Sequence, residues 1–219
     1  WAGTGDPHLQ AAAEGLTMEY KSPSQDKLQD WALRQARISH NRTIGVYAGA
    51  LGIGYNTNLL KEKGLPAPKC WKDLANPVYK GEIQIANPNS SGTSYTTLAT
   101  LVQLFGEEKA FDFLKAMHKN VNQYTKSGSA PIKAAAIGET TIAITFMHDM
   151  VTQKVQGAPI TIVAPCEGTG YEVGSMSIIK GARNLENAKK WYEFALDADV
   201  QSTAEKAGSY QVPSNKNTQ

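Results

Sequence analysis

Glu82-Ile83-Gln84-Ile85-Ala86-Asn87-Pro88-Asn89-Ser90-Ser91-Gly92-Thr93-Ser94-Tyr95-Thr96-Thr97 reads as a strand, a hydroxyl-rich turn and the opening of a helix. Such a turn leaves the first backbone N–H groups of the helix aimed outward, beside the positive end of the helix dipole. Ser90, Ser91, Thr93 and Ser94 add side-chain hydroxyls, and Gly92 lets the backbone approach a ligand closely. The assembly suits a phosphate or a carboxylate. An ordinary N-cap is the plainer reading of the same residues.

The pattern around this stretch repeats the alternation. Downstream, Tyr95, Leu98, Leu101, Val102 and Phe105 share one helical face up to Gly106. Ala110, Phe111, Leu114 and Met117 mark a second helix over 107–118, and 121–124 reads as a strand. A second Ser/Gly turn, 125–130, precedes a helix over 131–137. The β-rich run 140–146 then leads into Met147-His148-Asp149. A helix over 150–156, strands over 160–164 and 174–179, and helices over 184–196 and 199–207 complete the chain. Upstream, 7–15 reads as a short helix, 43–55 as a glycine-dense strand, 56–63 as a helix and 71–74 as the start of another. Strands and helices alternate, so the expected class is α/β with mainly parallel sheets.

Composition narrows the function classes. The 219 residues are 41% hydrophobic and 19% charged, enough for one large domain or two lobes with a core. The net charge is +2, with no basic run, which argues against a nucleic-acid partner. No apolar stretch approaches the roughly 20 residues of a membrane span. Cys70 and Cys166 are too far apart for a paired-cysteine metal site; a disulfide and two buried thiols both stay open. The chain begins at Trp1 without a charged or apolar leader, so the expectation is that any signal peptide has been removed. Its opening reads as the end of a strand and the following loop, as though the start of a domain were absent.

In doubly wound sheets ligands sit beyond the carboxyl ends of strands. Loops at such positions are Ser90–Ser94, Met147–Asp149 and Gly168–Glu172, with Thr4–Asp6 as a fourth. His148 and Asp149 suit the hydroxyls of a polar ligand, or are a helix start with Asp149 as N-cap. Glu172 is a ligand acceptor or an exposed loop acid, and Tyr171 packs or stacks on a ring. His8, His40 and His118 receive no role. The chain has no Gly-x-Ser-x-Gly, no His-Glu-x-x-His, no phosphate loop and no Gly-x-Gly-x-x-Gly after a strand. His148, Asp149 and Glu172 would form a His-plus-carboxylate metal set only without helical pre-orientation, so an enzyme and a resident metal or cofactor are not expected.

The order of motifs resembles the ferric-iron-type extracellular solute-binding proteins of bacterial ABC importers. The resemblance is carried by Trp1-Ala-Gly-Thr-Gly-Asp-Pro-His-Leu-Gln-Ala, Gly52-Ile-Gly-Tyr-Asn-Thr-Asn-Leu-Leu and Cys70-Trp-Lys-Asp-Leu-Ala-Asn-Pro-Val-Tyr-Lys-Gly. Asn87-Pro-Asn-Ser-Ser-Gly-Thr and Ile178-Ile-Lys-Gly-Ala-Arg-Asn add to it. It implies a type II periplasmic-binding-protein fold of two lobes with an incomplete first lobe. Residues 50–165 would form the second lobe, and 1–49 with 166–219 the remainder of the first, hinged near 48–54 and 164–170. Iron binders of the family carry two adjacent tyrosines near the His148-Asp149 position, whereas none of the nine tyrosines here adjoins another. The His148, Asp149 and Glu172 set resembles instead the hexose-phosphate-binding branch. There the His-Asp pair and the Glu take sugar hydroxyls, and hydroxyl-bearing turns hold the phosphate.

On that resemblance the expected ligand residues are Ser90, Ser91, Gly92, Thr93, His148, Asp149, Glu172, Thr4 and Asp6. The expected function is periplasmic capture of a sugar phosphate, by a monomer unless another chain supplies the missing segment, and its delivery to a membrane permease. Another anion (a phosphonate, a phosphoglycerate or a ferric complex) is the alternative within the fold, and a metal-dependent hydrolase the alternative outside it.

Overall fold

The computed structural model describes residues 1 and 3–219; Ala2, part of the strand end expected at the start of the chain, lies outside them. In chain order the elements are α1 (Gly5–Ala13), α2 (Asp30–Ile38), β1 (Ile44–Asn56), α3 (Thr57–Glu62), β2 (Ile83–Ala86), α4 (Gly92–Phe105), α5 (Glu107–His118) and β3 (Val121–Thr125). They continue with α6 (Ala130–Ala136), β4 (Ile142–Phe146), α7 (Met147–Val155), β5 (Ile160–Val163), β6 (Tyr171–Met176), α8 (Leu185–Leu196), α9 (Ala198–Ser202) and β7 (Val212–Pro213). The chain divides into two compact units, Ala50–Tyr171 and Trp1–Gly49 with Glu172–Gln219.

In the unit 50–171 the strands are ordered β3-β2-β4-β1-β5. β2 is parallel to both β3 and β4, as helical crossovers require. β1 runs antiparallel to β4 and to β5, in register Ile53↔Ile144 and Ile53↔Val163. Alternation of strands and helices foretells the parallel pairs but not this one, since β1 enters from the other unit instead of through a crossover helix of its own. β2 and β4 are buried at every position, the pattern of strands covered on both faces. One core gathers Leu51, Trp71, Leu101, Ile142 and Ile144; a smaller one gathers Ile132, Ala143, Met150 and Ile160. The glycines of β1 have a packing reason: a Cβ on Gly54 would stand 2.6 Å from Ile132 Cδ1.

α4 packs Leu101, Val102 and Phe105 on the core, as its periodicity predicts, but its first turns bury hydroxyl residues as well. Ser94, Thr97, Thr100 and Leu101 are buried, while Tyr95 is exposed. The buried threonines satisfy themselves on the helix, Thr97 Oγ1 donating to the Thr93 carbonyl (3.0 Å) and Thr100 Oγ1 to that of Thr96 (2.7 Å). Small hydroxyl residues therefore share the buried face of α4 with Leu101, and Tyr95 is the predicted member that the face leaves out.

Cys70 and Cys166 form a disulfide within this unit. Beside it the Glu167 carboxylate accepts the backbone N–H groups of Trp71 (2.8 Å) and Lys72 (3.0 Å). Trp71 Nε1 donates to the Gly168 carbonyl, and the Leu51 N–H to that of Gly170. These ties hold 166–170 to the unit, which is why the division falls at 171/172 and not at 165/166.

In the other unit the first half of β1 pairs antiparallel with β7, and β6 also joins β1. Its core collects Leu28, Ala32, Ile44, Val46, Met176, Tyr192 and Leu196. The Glu193 carboxylate receives the hydroxyls of Tyr20, Ser22 and Ser24 at 2.8–3.0 Å, fastening the turn at 20–24 to α8.

Candidate functional site

Because β2, β3 and β4 are parallel, their carboxyl ends share one edge of the sheet. The segments leaving that edge are 87–91, 126–129 and the start of α7, so two of the predicted loops meet through the Ser/Gly turn to which no role was given.

Ser91 is the N-cap of α4, its Oγ 3.5 Å from the Ser94 N–H, so the plainer reading of this serine holds. Gly92 opens the helix, and Thr93 is half-buried in its first turn. Ser94 Oγ is buried and makes no hydrogen bond among the described residues. Ser90 is different: its exposed hydroxyl donates to the Lys126 carbonyl at 3.0 Å and ties the two turns together. Gly128 packs directly against Thr93 and Ser91.

From Gly128 the contacts run on to β4. The Thr145 hydroxyl, fully buried, donates to the Gly128 carbonyl at 2.8 Å and stands 3.4 Å from Asp149 Oδ2. Asp149 and His148 lie in the first turn of α7, which begins at Met147 directly after β4. They are therefore helical rather than in a loop, and Phe146, not Asp149, is the N-cap. His148 Nε2 lies 3.7 Å from Asp149 Oδ1, and the His148 ring stacks on Phe146 at 5.4 Å. Burial pushes the Asp149 carboxyl above its ordinary value, against the opposing pull of His148, the Thr145 hydroxyl and Lys133. Burial pushes the His148 imidazole down, and Asp149 opposes that shift.

The remaining predicted residues belong to the unit 1–49 and 172–219. Thr4 is the N-cap position of α1 and bridges Gly174, two residues along β6 from Glu172. Asp6 is exposed in the first turn of α1. Glu172 is buried within β6 instead of standing in a loop, because the strand begins at Tyr171 and not at 174. Among the described residues, Cys70, Cys166 and Glu167 form a group with metal-ligand spacing. Its two sulfurs are bonded to each other, and its carboxylate is taken by backbone N–H groups. An apolar cavity of about 250 Å³, lined by Tyr47, Trp191 and Phe194 among others, holds none of the predicted residues.

Thr145, Gly128 and Lys133 were not singled out by the sequence. The only signal was the hydroxyl of Thr145 four positions before Asp149, and a strand buried on both faces gives that no contrast.

The family described as bacterial extracellular solute-binding protein matches residues 5–219. An uncharacterised protein of Haemophilus influenzae is 50% identical over 217 residues, 98% of this chain and 63% of that protein. The solved periplasmic binding protein AfuA of Actinobacillus pleuropneumoniae, with exogenous fructose 6-phosphate bound, is 50% identical with a TM-score of 0.94. That match covers 99% of this chain and 69% of AfuA. The periplasmic binding protein P5PA is 43% identical, with a TM-score of 0.94 over 99% of this chain and 69% of its own. The chain thus spans less than two thirds of the length of the Haemophilus relative.

Proposed function

The chain belongs to the bacterial extracellular solute-binding family, and on that premise we propose that it is part of a periplasmic binding protein that captures a hexose phosphate for an ABC importer. The observation that carries this reading is the run of contacts Ser91/Thr93–Gly128–Thr145–Asp149 inside one unit. The run supports the reading because it links, through Gly128 and Thr145, a helix N-terminus furnished with hydroxyls to a carboxylate: donors for a phosphate and an acceptor for hydroxyls in one connected set. The fructose 6-phosphate bound by AfuA, at 50% identity, supports the same ligand class.

In this reading the N–H groups at the start of α4, with Ser91, Gly92 and Thr93, hold the ester's phosphate. Asp149 and His148 read the ring. A carboxylate accepts sugar hydroxyls through charge-assisted hydrogen bonds, while its charge would repel a phosphate placed against it. Ser90, Thr4, Asp6 and Glu172 stay in the proposed ligand set, each open to test by substitution. The protein performs no chemistry on its ligand; it binds and delivers to the permease.

Calorimetry with glucose 6-phosphate, fructose 6-phosphate, glucose, inorganic phosphate and ferric citrate tests the proposal. Heat from a hexose 6-phosphate but none from glucose is the expected result. Tighter binding of ferric citrate, with a visible charge-transfer band, or chelator-sensitive turnover of a phosphoester would overturn it.

A further inference from the structure

We propose that Thr145 is a positioning residue for this site, fixing the Asp149 carboxylate against the 126–129 turn so that the acid meets the carbohydrate part of the ligand. The inference rests on the sugar-phosphate reading and deepens it. Thr145 sits on β4 with no exposed surface, and Asp149 sits in the first turn of α7. Strand and helix join without a loop, so the two side chains are held at a fixed offset of four positions.

The hydroxyl has one hydrogen and two acceptors within reach. Gly128 takes it at 2.8 Å, and the 3.4 Å contact to Asp149 Oδ2 is the longer of the two. The hydrogen is shared, the greater part with the Gly128 carbonyl and a weaker part with Asp149 Oδ2, so the carboxylate is oriented yet keeps acceptor capacity for hydroxyls of a ligand. The same hydroxyl helps hold the half-buried carboxyl in its charged form. Gly128 in turn packs on Thr93 and Ser91, so one buried oxygen links the turn beneath the phosphate donors to the acid that reads the ring. A purely structural role would need only the Gly128 carbonyl satisfied and would leave ligand selectivity untouched.

The experiment compares wild type, Thr145→Val, Thr145→Ser, Asp149→Ala and the Val/Ala double variant by calorimetry with glucose 6-phosphate and inorganic phosphate. Melting curves follow each variant. Thr145→Val should weaken glucose 6-phosphate about tenfold and inorganic phosphate less than about twofold, and Thr145→Ser should recover most of the loss. In the Asp149→Ala background the valine should add nothing, because its effect runs through that carboxylate. Equal weakening of both ligands, no weakening, or a full valine effect without Asp149 overturns the proposal. Should the valine chain not fold, Thr145→Ala against Thr145→Ser gives the same comparison. Wild type that ignores glucose 6-phosphate overturns the functional reading, and this inference with it; wild type that binds it while Thr145→Val is indifferent overturns only the inference.

Discussion

Gly128 packs so closely on Ser91 that a Cβ built on the glycine would lie 2.9 Å from Ser91 Oγ, and closer still to Thr93. The turn at 126–129 and the start of α4 are therefore one packed surface. Gly128→Ala should push the two hydroxyls aside. The expected cost is about 1–3 kcal/mol of stability, typical of overpacking, with weaker binding of inorganic phosphate and hexose phosphate alike. Thermal melts and calorimetry check it; an alanine variant with unchanged phosphate affinity would show that this surface holds no phosphate.

Asp149→Ala should act on the other end of the ligand. Loss of a charged acceptor is expected to weaken hexose 6-phosphate by about tenfold or more, while inorganic phosphate changes little. An equal loss for both would mean that the ring does not lie against Asp149.

His148 links the site to pH. Its folded value is lowered from 6.5 by burial, opposed by Asp149. The unfolded chain therefore takes up the proton first as pH falls, and stability is lost on acidification through that range. Asp149 carries the opposite sign: its folded value is raised from 3.8, so the folded state takes up the proton first and acidification through that lower window favours the fold. Lys133 and Thr145 face the same carboxyl from α6 and β4. Melting temperatures at about pH 7.5 and 5.5 should fall less for His148→Gln than for wild type. Parallel slopes for the two proteins would remove His148 from the account.

Cys70 and Cys166 close a loop of sequence separation 96, and Glu167 caps the turn beside it. Reduction should cost about 2–4 kcal/mol, chiefly by freeing the unfolded chain. The melting temperature in dithiothreitol, with two free thiols confirmed by titration, measures this. No shift would mean that the Glu167 and Trp71 hydrogen bonds alone hold 166–170 in place.

Much of the architecture was readable from local pattern. Glu82–Ala86 and Thr140–Phe146 announced buried strands, and Ser90–Ser94 a helix start, because hydrophobic runs and caps are short-range signals. The helix boundary at Met147 and the strand start at Tyr171 were not readable. At Met147 the helix follows the strand without a breaking residue, so no local signal separates His148 from a loop; at Tyr171 the glycines at 168, 170 and 174 hide where the strand begins, so Glu172 reads as part of the loop.

The amino-acid sequence by itself determined the α/β class, the family and the residue types able to hold an anion and a set of hydroxyls, since periodicity, capping and motif order all act over a few residues. Only the tertiary structure decided that Cys70 meets Cys166, that β1 runs against its neighbours, and that Gly128 and Thr145 join the start of α4 to Asp149. Those contacts link positions far apart in the chain. They depend on which strand ends share an edge of the sheet, a quantity no single stretch of sequence carries.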